Sequence, residues 1–165
     1  MNSFTVYEMR YTGGDIAEPH LSLIPFRDAD FPAYAQIYNA CFREMRKSLG
    51  ITPYDVYAEI GQIQDKKAQI FLLTAQGTLI GSVACCGTEI DDLIVNPAYQ
   101  RQGYGGALLR WAIHRIRTQS DAPITLHAAE WNQNAVRLYL RNGFVISDRL
   151  TIRGTDDMRC AKWDS

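Results

Sequence analysis

The sequence predicts a mixed α/β fold in one domain, and three features carry this prediction. Alternating or continuous apolar runs, which are typical of strands, dominate the middle of the chain. Segments with apolar residues at helical spacing lie between these runs. The 165 residues match one domain in length, and no repeat, low-complexity tract or Pro/Gly/Ser-rich linker divides them. We therefore expect residues 1–165 to form one domain whose core folds without disulfides or a structural metal.

The first strands are predicted near the N-terminus. Residues 20–26 alternate between apolar and polar types, as in a half-buried strand. Residues 4–11 show a similar pattern and could add an edge strand, in an N-terminal extension that covers about residues 1–19. The core of the domain is therefore expected to begin near residue 20.

Two helices are predicted after this strand. Residues 31–49 place aromatic and aliphatic side chains at helical spacing. Residues 52–64 form the second candidate, because Thr52 followed by Pro53 is a typical capping residue and first helical position.

Strands and helices then alternate to the end of the chain. The runs at 68–77 and 78–87 predict a hairpin around a turn at Gln76 and Gly77. The further strands are predicted at 89–97, 124–129, 144–153 and 158–163, the last two around a turn at 154–157. One helix is predicted from the apolar face formed by Leu108, Leu109, Ala112, Ile113 and Ile116. Another is predicted at 132–143, closed by Asn142 and Gly143 as a C-cap.

Composition and charge exclude several classes of protein. The chain carries 17 Lys and Arg against 18 Asp and Glu, a formal net charge of -1, whereas general nucleic-acid binders are strongly basic. The sequence contains no run of about 18 apolar residues, the length that a helix needs to cross a membrane. The four cysteines show no CxxC spacing, and the N-terminus lacks the pattern of a signal peptide. We expect a cytoplasmic protein with reduced thiols, no metal site, and no nucleic-acid or membrane partner.

The charge is divided unevenly along the chain. Residues 1–100 carry 7 basic and 12 acidic side chains, whereas residues 101–153 carry 8 arginines and 3 acidic side chains. Solvated surfaces alone could produce this division. Alternatively, the second part binds an anionic ligand and the first part binds a cationic one.

A glycine-rich turn follows the strand at 89–97 and opens the next helix. Free backbone N–H groups and the helix dipole favour phosphate oxygens at such a turn, and glycines allow the backbone to approach the ligand closely. The residues predicted to bind the anion are Gln100, Arg101, Gln102, Gly103, Tyr104, Gly105 and Gly106. The turn is not a Walker loop, because no lysine follows it, and Leu108 stands where a Rossmann fingerprint requires its third glycine.

Two blocks of the sequence resemble the GNAT superfamily of N-acetyltransferases. The family signature [QR]-x-x-G-x-[GA] after a V-x-P strand end is filled by Val95, Pro97, Gln100, Gly103 and Gly105. The block N-x-x-A-x-x-L-Y-x-x-x-G-F is filled by Asn132, Ala135, Leu138, Tyr139, Gly143 and Phe144. The resemblance covers about residues 20–163. It implies a mixed, mostly antiparallel twisted sheet of about seven strands flanked by about four helices.

The resemblance implies acetyl-CoA as co-substrate. Backbone amides of residues 101–106 would bind the CoA pyrophosphate. Backbone groups of the preceding strand would hydrogen-bond the pantetheine arm, at Leu93, Ile94 and Val95. Asn132 would bond the arm from the other side. Its position equally suits a helix N-cap, and the two roles are compatible.

The resemblance also assigns an acid and suggests bases. Tyr139 matches the family's general acid, and a phenol with a pKa near ~10 is protonated at neutral pH. Glu89, eleven positions before Gln100, matches the glutamate base of histone-acetyltransferase-like members. His127, five positions before Asn132, stands where ribosomal-protein alanine acetyltransferases carry a glutamate. Asp91 is the third candidate, on the same strand face as Glu89 if the strand alternates regularly.

The acceptor is expected to be an amine in a direct transfer. Acidic residues before position 100 and the tyrosines of the early helices favour a small cationic amine. These tyrosines are Tyr34, Tyr38, Tyr54 and Tyr57. A peptide or protein amine is the alternative substrate, and a non-catalytic acyl-CoA-binding sensor is the alternative of another class. The protein is expected to be a monomer or a homodimer.

Overall fold

Seven strands form a single sheet in the computed structural model, which describes residues 3–153. The strands are β1 (Ser3–Tyr11), β2 (Ile24–Pro25), β3 (Ile70–Ala75), β4 (Thr78–Cys86), β5 (Glu89–Val95), β6 (Thr125–Ala129) and β7 (Phe144–Arg153). Their spatial order is β2-β3-β4-β5-β6-β1-β7. Every neighbouring pair is antiparallel except β5 and β6, which are parallel. The mixed, mostly antiparallel sheet of about seven strands is therefore confirmed.

Three α-helices flank this sheet within residues 3–153, against about four predicted. They are α1 (Phe31–Leu49), α2 (Tyr104–Gln119) and α3 (Gln133–Arg141). Packing of α1 against one face of the sheet builds a cluster that includes Tyr34, Tyr38 and Ile94. On the opposite face α2 and α3 build a second cluster, which includes Ile90 and Ile113. None of the helices in this part of the chain has the length and hydropathy that a membrane span requires.

The helix predicted at 52–64 is wrong. This segment is irregular apart from a short 3-10 turn at Ile60–Ile63. The Asn39 side chain donates to the Tyr57 carbonyl at 2.9 Å and accepts from the Tyr57 N–H at 3.1 Å. The Gln62 side chain accepts from the N–H groups of Ala58 and Glu59 at 2.7 and 2.9 Å. These side chains satisfy backbone groups that a helix would have paired internally.

The N-terminal strand lies inside the sheet, so its prediction as an edge strand is wrong. β1 pairs with β6 on one side and with β7 on the other. Its side chains Val6 and Met9 are 0% exposed, which requires packing from neighbouring elements. The strand predicted at 20–26 is reduced to Ile24–Pro25. The strand predicted at 158–163 and its turn lie outside the described residues.

A separation between β5 and β6 positions the site. Within the described residues these two parallel strands pair only at Glu89 and Thr125. On the other side of β5, the pairing with β4 shifts register near Asp92, whose φ of 46° is left-handed. Such a bulge bends a strand and redirects its side chains. The sheet therefore opens beyond Glu89, between the start of α2 and α3.

Candidate active site

Two voids meet where β5 and β6 separate. A groove of about 660 Å³ runs along the end of β5, the start of α2 and one side of α3. A cavity of about 90 Å³ lies between α1, the middle of β5 and the end of β6. Five residues line both voids: Phe42, Leu93, Asn132, Ala135 and Tyr139. A molecule bound in the groove could thus reach one bound in the cavity.

The N-terminus of α2 lines the groove. Gly103 precedes the helix with a left-handed φ of 88°, and no side chain caps the helix there. The first helical bond runs from the Ala107 N–H to the Gly103 carbonyl at 3.1 Å. The N–H groups of Tyr104, Gly105 and Gly106 precede that bond and have no partner within the helix. Free N–H groups at a helix N-terminus form a site suited to phosphate oxygens.

Arginines surround this end of the groove. The predicted Arg101 lines it, and so do two arginines that the sequence reasoning missed, Arg137 and Arg141 of α3. Their spacing of four positions on a predicted helix, within the second family block, was the signal that could have found them. The predicted Gln102 is exposed and is not among the residues that line the groove. Three cationic side chains and the free amides together favour an anionic guest.

The end of β5 supplies backbone groups to the groove. Leu93, Ile94 and Val95, which are predicted to bind the pantetheine arm, line the groove. The Val95 carbonyl accepts bonds from the Gln100 amide at 3.1 Å and from the Cys41 thiol at 3.2 Å. Gln100 thereby ties the turn to the strand end. The separation of β5 from β6 leaves room for an extended chain to lie alongside β5.

Asn132 caps α3 and borders both voids. Its side-chain oxygen accepts from the Ala135 N–H at 3.3 Å, and its carbonyl accepts from the Val136 N–H at 3.1 Å. The helix N-cap is therefore confirmed. Because the residue also lines the groove and the cavity, a role in ligand binding is compatible with the cap.

Tyr139 lies at the junction of the groove and the cavity. Its side chain is buried and packs against Phe144 with ring centroids 6.1 Å apart. Burial, with smaller effects from Asp91 and Asp92, raises the pKa of this phenol well above its usual 10. The hydroxyl therefore keeps its proton throughout the neutral range.

Two of the three predicted bases form a pair. The His127 Nδ1 atom lies 2.9 Å from the Glu89 Oε1 atom. The hydrogen bond to Glu89 raises the pKa of His127 above its usual 6.5, although burial acts in the opposite direction. His127 lines the cavity, whereas Glu89 does not. A third group was missed: the Glu8 Oε2 atom of β1 lies 3.4 Å from the His127 Nε2 atom.

The third predicted base, Asp91, belongs to a buried ion cluster. The Lys66 ammonium lies 2.8 Å from Asp91 and 2.5 Å from Asp92. Tyr38 donates to the other oxygen of Asp92 at 3.3 Å. Burial and the adjacent Asp91 raise the pKa of Asp92 to about 7. Both aspartates line the cavity, so its wall carries carboxylates that Lys66 partly neutralises.

The arrangement suits acyl transfer between two bound molecules. The groove offers amides and arginines to an anion and a strand edge to an extended arm, which fits a CoA ester. A protonated phenol stands at the junction, and an imidazole paired with carboxylates borders the cavity. A proton donor therefore lies where the voids meet, and a proton acceptor borders the cavity. In residues 3–153 no group of three His, Cys, Asp or Glu side chains has a geometry that could hold a metal ion.

Comparison with known sequences identifies one family. The sequence model described as "Acetyltransferase (GNAT) family" matches residues 31–144. This range contains α1, the groove and the pair of His127 and Glu89, but not β1. No curated protein matches the chain significantly.

Solved structures share the fold. A GNAT-family protein from Novosphingobium aromaticivorans aligns with a TM-score of 0.66 and 18% identity, over 92% of this chain and 63% of its own. The ribosomal-protein-S18-alanine N-acetyltransferase of Escherichia coli aligns with a TM-score of 0.57 and 23% identity. The alignment covers 74% of this chain and 76% of that enzyme. The structure of yncA from Salmonella typhimurium, solved with its cofactor acetyl-CoA, aligns with a TM-score of 0.57 and 17% identity. The alignment covers 78% of this chain and 82% of yncA. The chain spans 50–63% of the length of the first four structures that it matches.

Proposed function

Because this chain belongs to the acetyltransferase (GNAT) family, we propose that it transfers the acetyl group of acetyl-CoA directly to the nitrogen of a small primary amine. One observation carries the proposal: Tyr139, a buried phenol, lines both the groove and the cavity. A donor in the groove and an acceptor in the cavity would therefore meet beside a proton donor. Acetyl-CoA supplies an electrophilic thioester carbonyl.

The groove residues bind and orient the co-substrate. The free amides of Tyr104, Gly105 and Gly106 donate to the pyrophosphate, and nearby arginines add positive charge. The backbone of β5 pairs with the pantetheine arm in the manner of an added strand. These contacts direct the thioester toward the junction, because β5 connects the turn with the cavity. Fixing both reactants in this way removes much of the entropic cost of their encounter.

Tyr139 acts as the general acid. Its raised pKa keeps the phenol protonated until negative charge develops on the departing sulfur. The phenol donates a proton to the sulfur as the C–S bond breaks. Because its pKa lies above that of a thiol, about 8.5 if cysteine is taken as a guide, this transfer is coupled to the recovery of a proton from the acceptor nitrogen. The hydroxyl regains a proton as the acceptor nitrogen becomes an amide.

The Glu89–His127 pair acts as the general base. Glu89 lies at hydrogen-bonding distance from Nδ1 and keeps the proton on that nitrogen, which leaves Nε2 to accept another. His127 borders the cavity, so it can take a proton from an ammonium there, directly or through water. This assignment gives one shared role to Glu89 and His127, which the sequence suggested as alternative bases.

The cavity supports a small cationic amine as acceptor. The cavity volume of about 90 Å³ suits a small amine rather than an extended peptide. Four carboxyl groups border the cavity or its histidine, against two cations, Lys66 and Arg46. Asp92, whose pKa is about 7, carries only about half a charge at neutral pH, which still leaves negative charge in excess. An excess of negative charge attracts an ammonium ion. These features favour a small amine over the N-terminus of a protein.

Release of the CoA thiol across a panel of amines tests the proposal. The panel contains monoamines, diamines and short peptides with free N-termini, each at several concentrations. We expect thiol release with small cationic amines and little with peptides. Release with peptides alone would favour a peptide acetyltransferase. Tight acetyl-CoA binding without thiol release from any amine would favour a sensor and contradict the proposal.

A further inference from the structure

A third charged residue extends the proposed base toward the surface. Glu8 of β1 stands directly opposite His127 of β6 in the antiparallel register. Its Oε2 atom lies 3.4 Å from the His127 Nε2 atom, whereas Glu89 contacts the other ring nitrogen. The imidazole thus lies between two carboxylates that come from different strands.

Exposure changes along this row of three side chains. The Glu89 side chain is 16% exposed and that of His127 is 11% exposed, whereas that of Glu8 is 39% exposed. Glu8 is therefore the member that meets solvent, and His127 is the member that borders the cavity. A proton on the His127 Nε2 atom therefore lies beside the Glu8 carboxylate, which is in contact with solvent.

The proposed reaction requires such a path. In each cycle an N–C bond forms between the amine and the acetyl carbon, and the C–S bond breaks. Starting from an ammonium ion, one proton ends on the CoA thiol and a second must leave for solvent. The half-buried pair of His127 and Glu89 holds that second proton until another group or a water molecule carries it to solvent.

We propose that Glu8 is a positioning residue of the base, which holds the His127 imidazole and passes the amine's proton to solvent. The inference rests on the proposed function for its chemistry. It concerns a strand that lies outside residues 31–144, the range that the family model matches. A carboxylate beside Nε2 favours the imidazolium formed when the proton is taken.

Other ionisable groups around His127 stay unchanged in the test. They are Asp91 and Asp92 of β5, Lys66 before β3, Tyr38 and Arg46 of α1, and Tyr139 of α3. Glu8→Gln removes one charge and keeps the shape of the side chain. Glu18→Gln is the matched control, since Glu18 is exposed and belongs to the same N-terminal segment.

The experiment combines an NMR titration of the His127 ring with steady-state kinetics. In Glu8→Gln we expect the ring to titrate about 0.5–1 pH unit lower than in the unsubstituted protein. We expect kcat to fall about tenfold, by analogy with the loss of outer-shell partners of metal-bound histidines, while KM for acetyl-CoA stays constant. Glu18→Gln should change neither quantity.

The two readouts separate the inference from the proposed function. An unchanged titration in Glu8→Gln, or an unchanged kcat in a protein that acetylates amines, overturns the role of Glu8. Failure of the unsubstituted protein to acetylate any amine overturns the proposed function instead. The titration needs no turnover, so it still decides whether Glu8 holds the imidazole.

Discussion

The His127 Nδ1 atom lies 2.9 Å from the Glu89 Oε1 atom, so two side chains predicted as alternative bases form one hydrogen-bonded pair. Glu89 begins β5 and His127 lies in β6, where these strands start to separate. The carboxylate orients the imidazole and favours its protonated form. The pair therefore predicts how activity should depend on pH.

Substitution of Glu89 by Gln should move the acid limb of the pH profile downward. The hydrogen bond to Glu89 raises the pKa of His127, so the unsubstituted enzyme should lose kcat/KM as pH falls through a value above 6.5. Without the carboxylate the imidazole stays neutral to lower pH, and the inflection should fall by about 1 pH unit. The measurement is kcat/KM from pH 5 to 9, about the range in which histidine titrates. Glu44→Gln, at an exposed position of α1, is the control. Equal inflections in the unsubstituted protein and in both variants would show that Glu89 does not act on the base.

Substitution of Tyr139 by Phe should abolish most turnover and leave co-substrate binding intact. Loss of a general acid typically costs about 10²–10⁴-fold in rate, so we expect kcat to fall by at least about 10²-fold. The phenyl ring keeps the packing against Phe144, and acetyl-CoA should bind as before. Stopped-flow kinetics and calorimetric binding measure the two effects. Tyr54→Phe, at an exposed position, should change neither. A Tyr139→Phe protein with full activity would exclude this acid.

Substitution of Arg137 or Arg141 by Gln should weaken acetyl-CoA binding. Both side chains line the groove and are exposed, so each ion pair with a phosphate should contribute up to about 1 kcal/mol, or about fivefold in Kd. The effect should shrink at high salt, because screening weakens exposed charges. Titration calorimetry at two salt concentrations checks both statements. Arg10→Gln, at the end of β1 that pairs with Thr125, is the control. Identical affinities in all of these proteins would remove the arginines from the binding site.

Substitution of Lys66 by Met should destabilise the fold strongly. It leaves the half-buried Asp91 and the buried Asp92 without their shared cation, and breaking a buried ion pair costs about 3–5 kcal/mol. The double variant Lys66→Met with Asp92→Asn removes one of the two carboxylates and should recover part of the loss. Urea unfolding at neutral pH gives the free energies. A Lys66→Met protein as stable as the unsubstituted one would show that the cluster contributes little to stability.

Local sequence patterns predicted the parts of the site that lie on one continuous segment. The turn from Gln100 to Gly106 and the cap at Asn132 depend on neighbours in the chain, so their residue types suffice to identify them. The same is true of α1, whose apolar spacing predicted residues 31–49. Tyr139 followed from the second family block, and the structure places it at the junction.

Contacts between distant segments could not be predicted in this way. The cluster of Lys66 with Asp91 and Asp92 depends on a bulge in β5. No residue pattern near Asp92 predicts its left-handed φ. Glu8 meets His127 because β1 inserts between β6 and β7, where the sequence suggested an edge strand. The segment 52–64 carries helix-start residues, but the side chains of Asn39 and Gln62 satisfy its backbone instead.

A single-turnover reaction with mass detection tests direct acetyl transfer most directly. Protein in excess is mixed with acetyl-CoA, and a small cationic amine is added afterwards. We expect no acetylated protein before the amine is added. After the addition we expect equal amounts of N-acetylated amine and free CoA, at a rate at least about 10²-fold lower in Tyr139→Phe. Accumulation of acetylated protein before the amine is added, or bound acetyl-CoA that acetylates no amine, would contradict direct acetyl transfer.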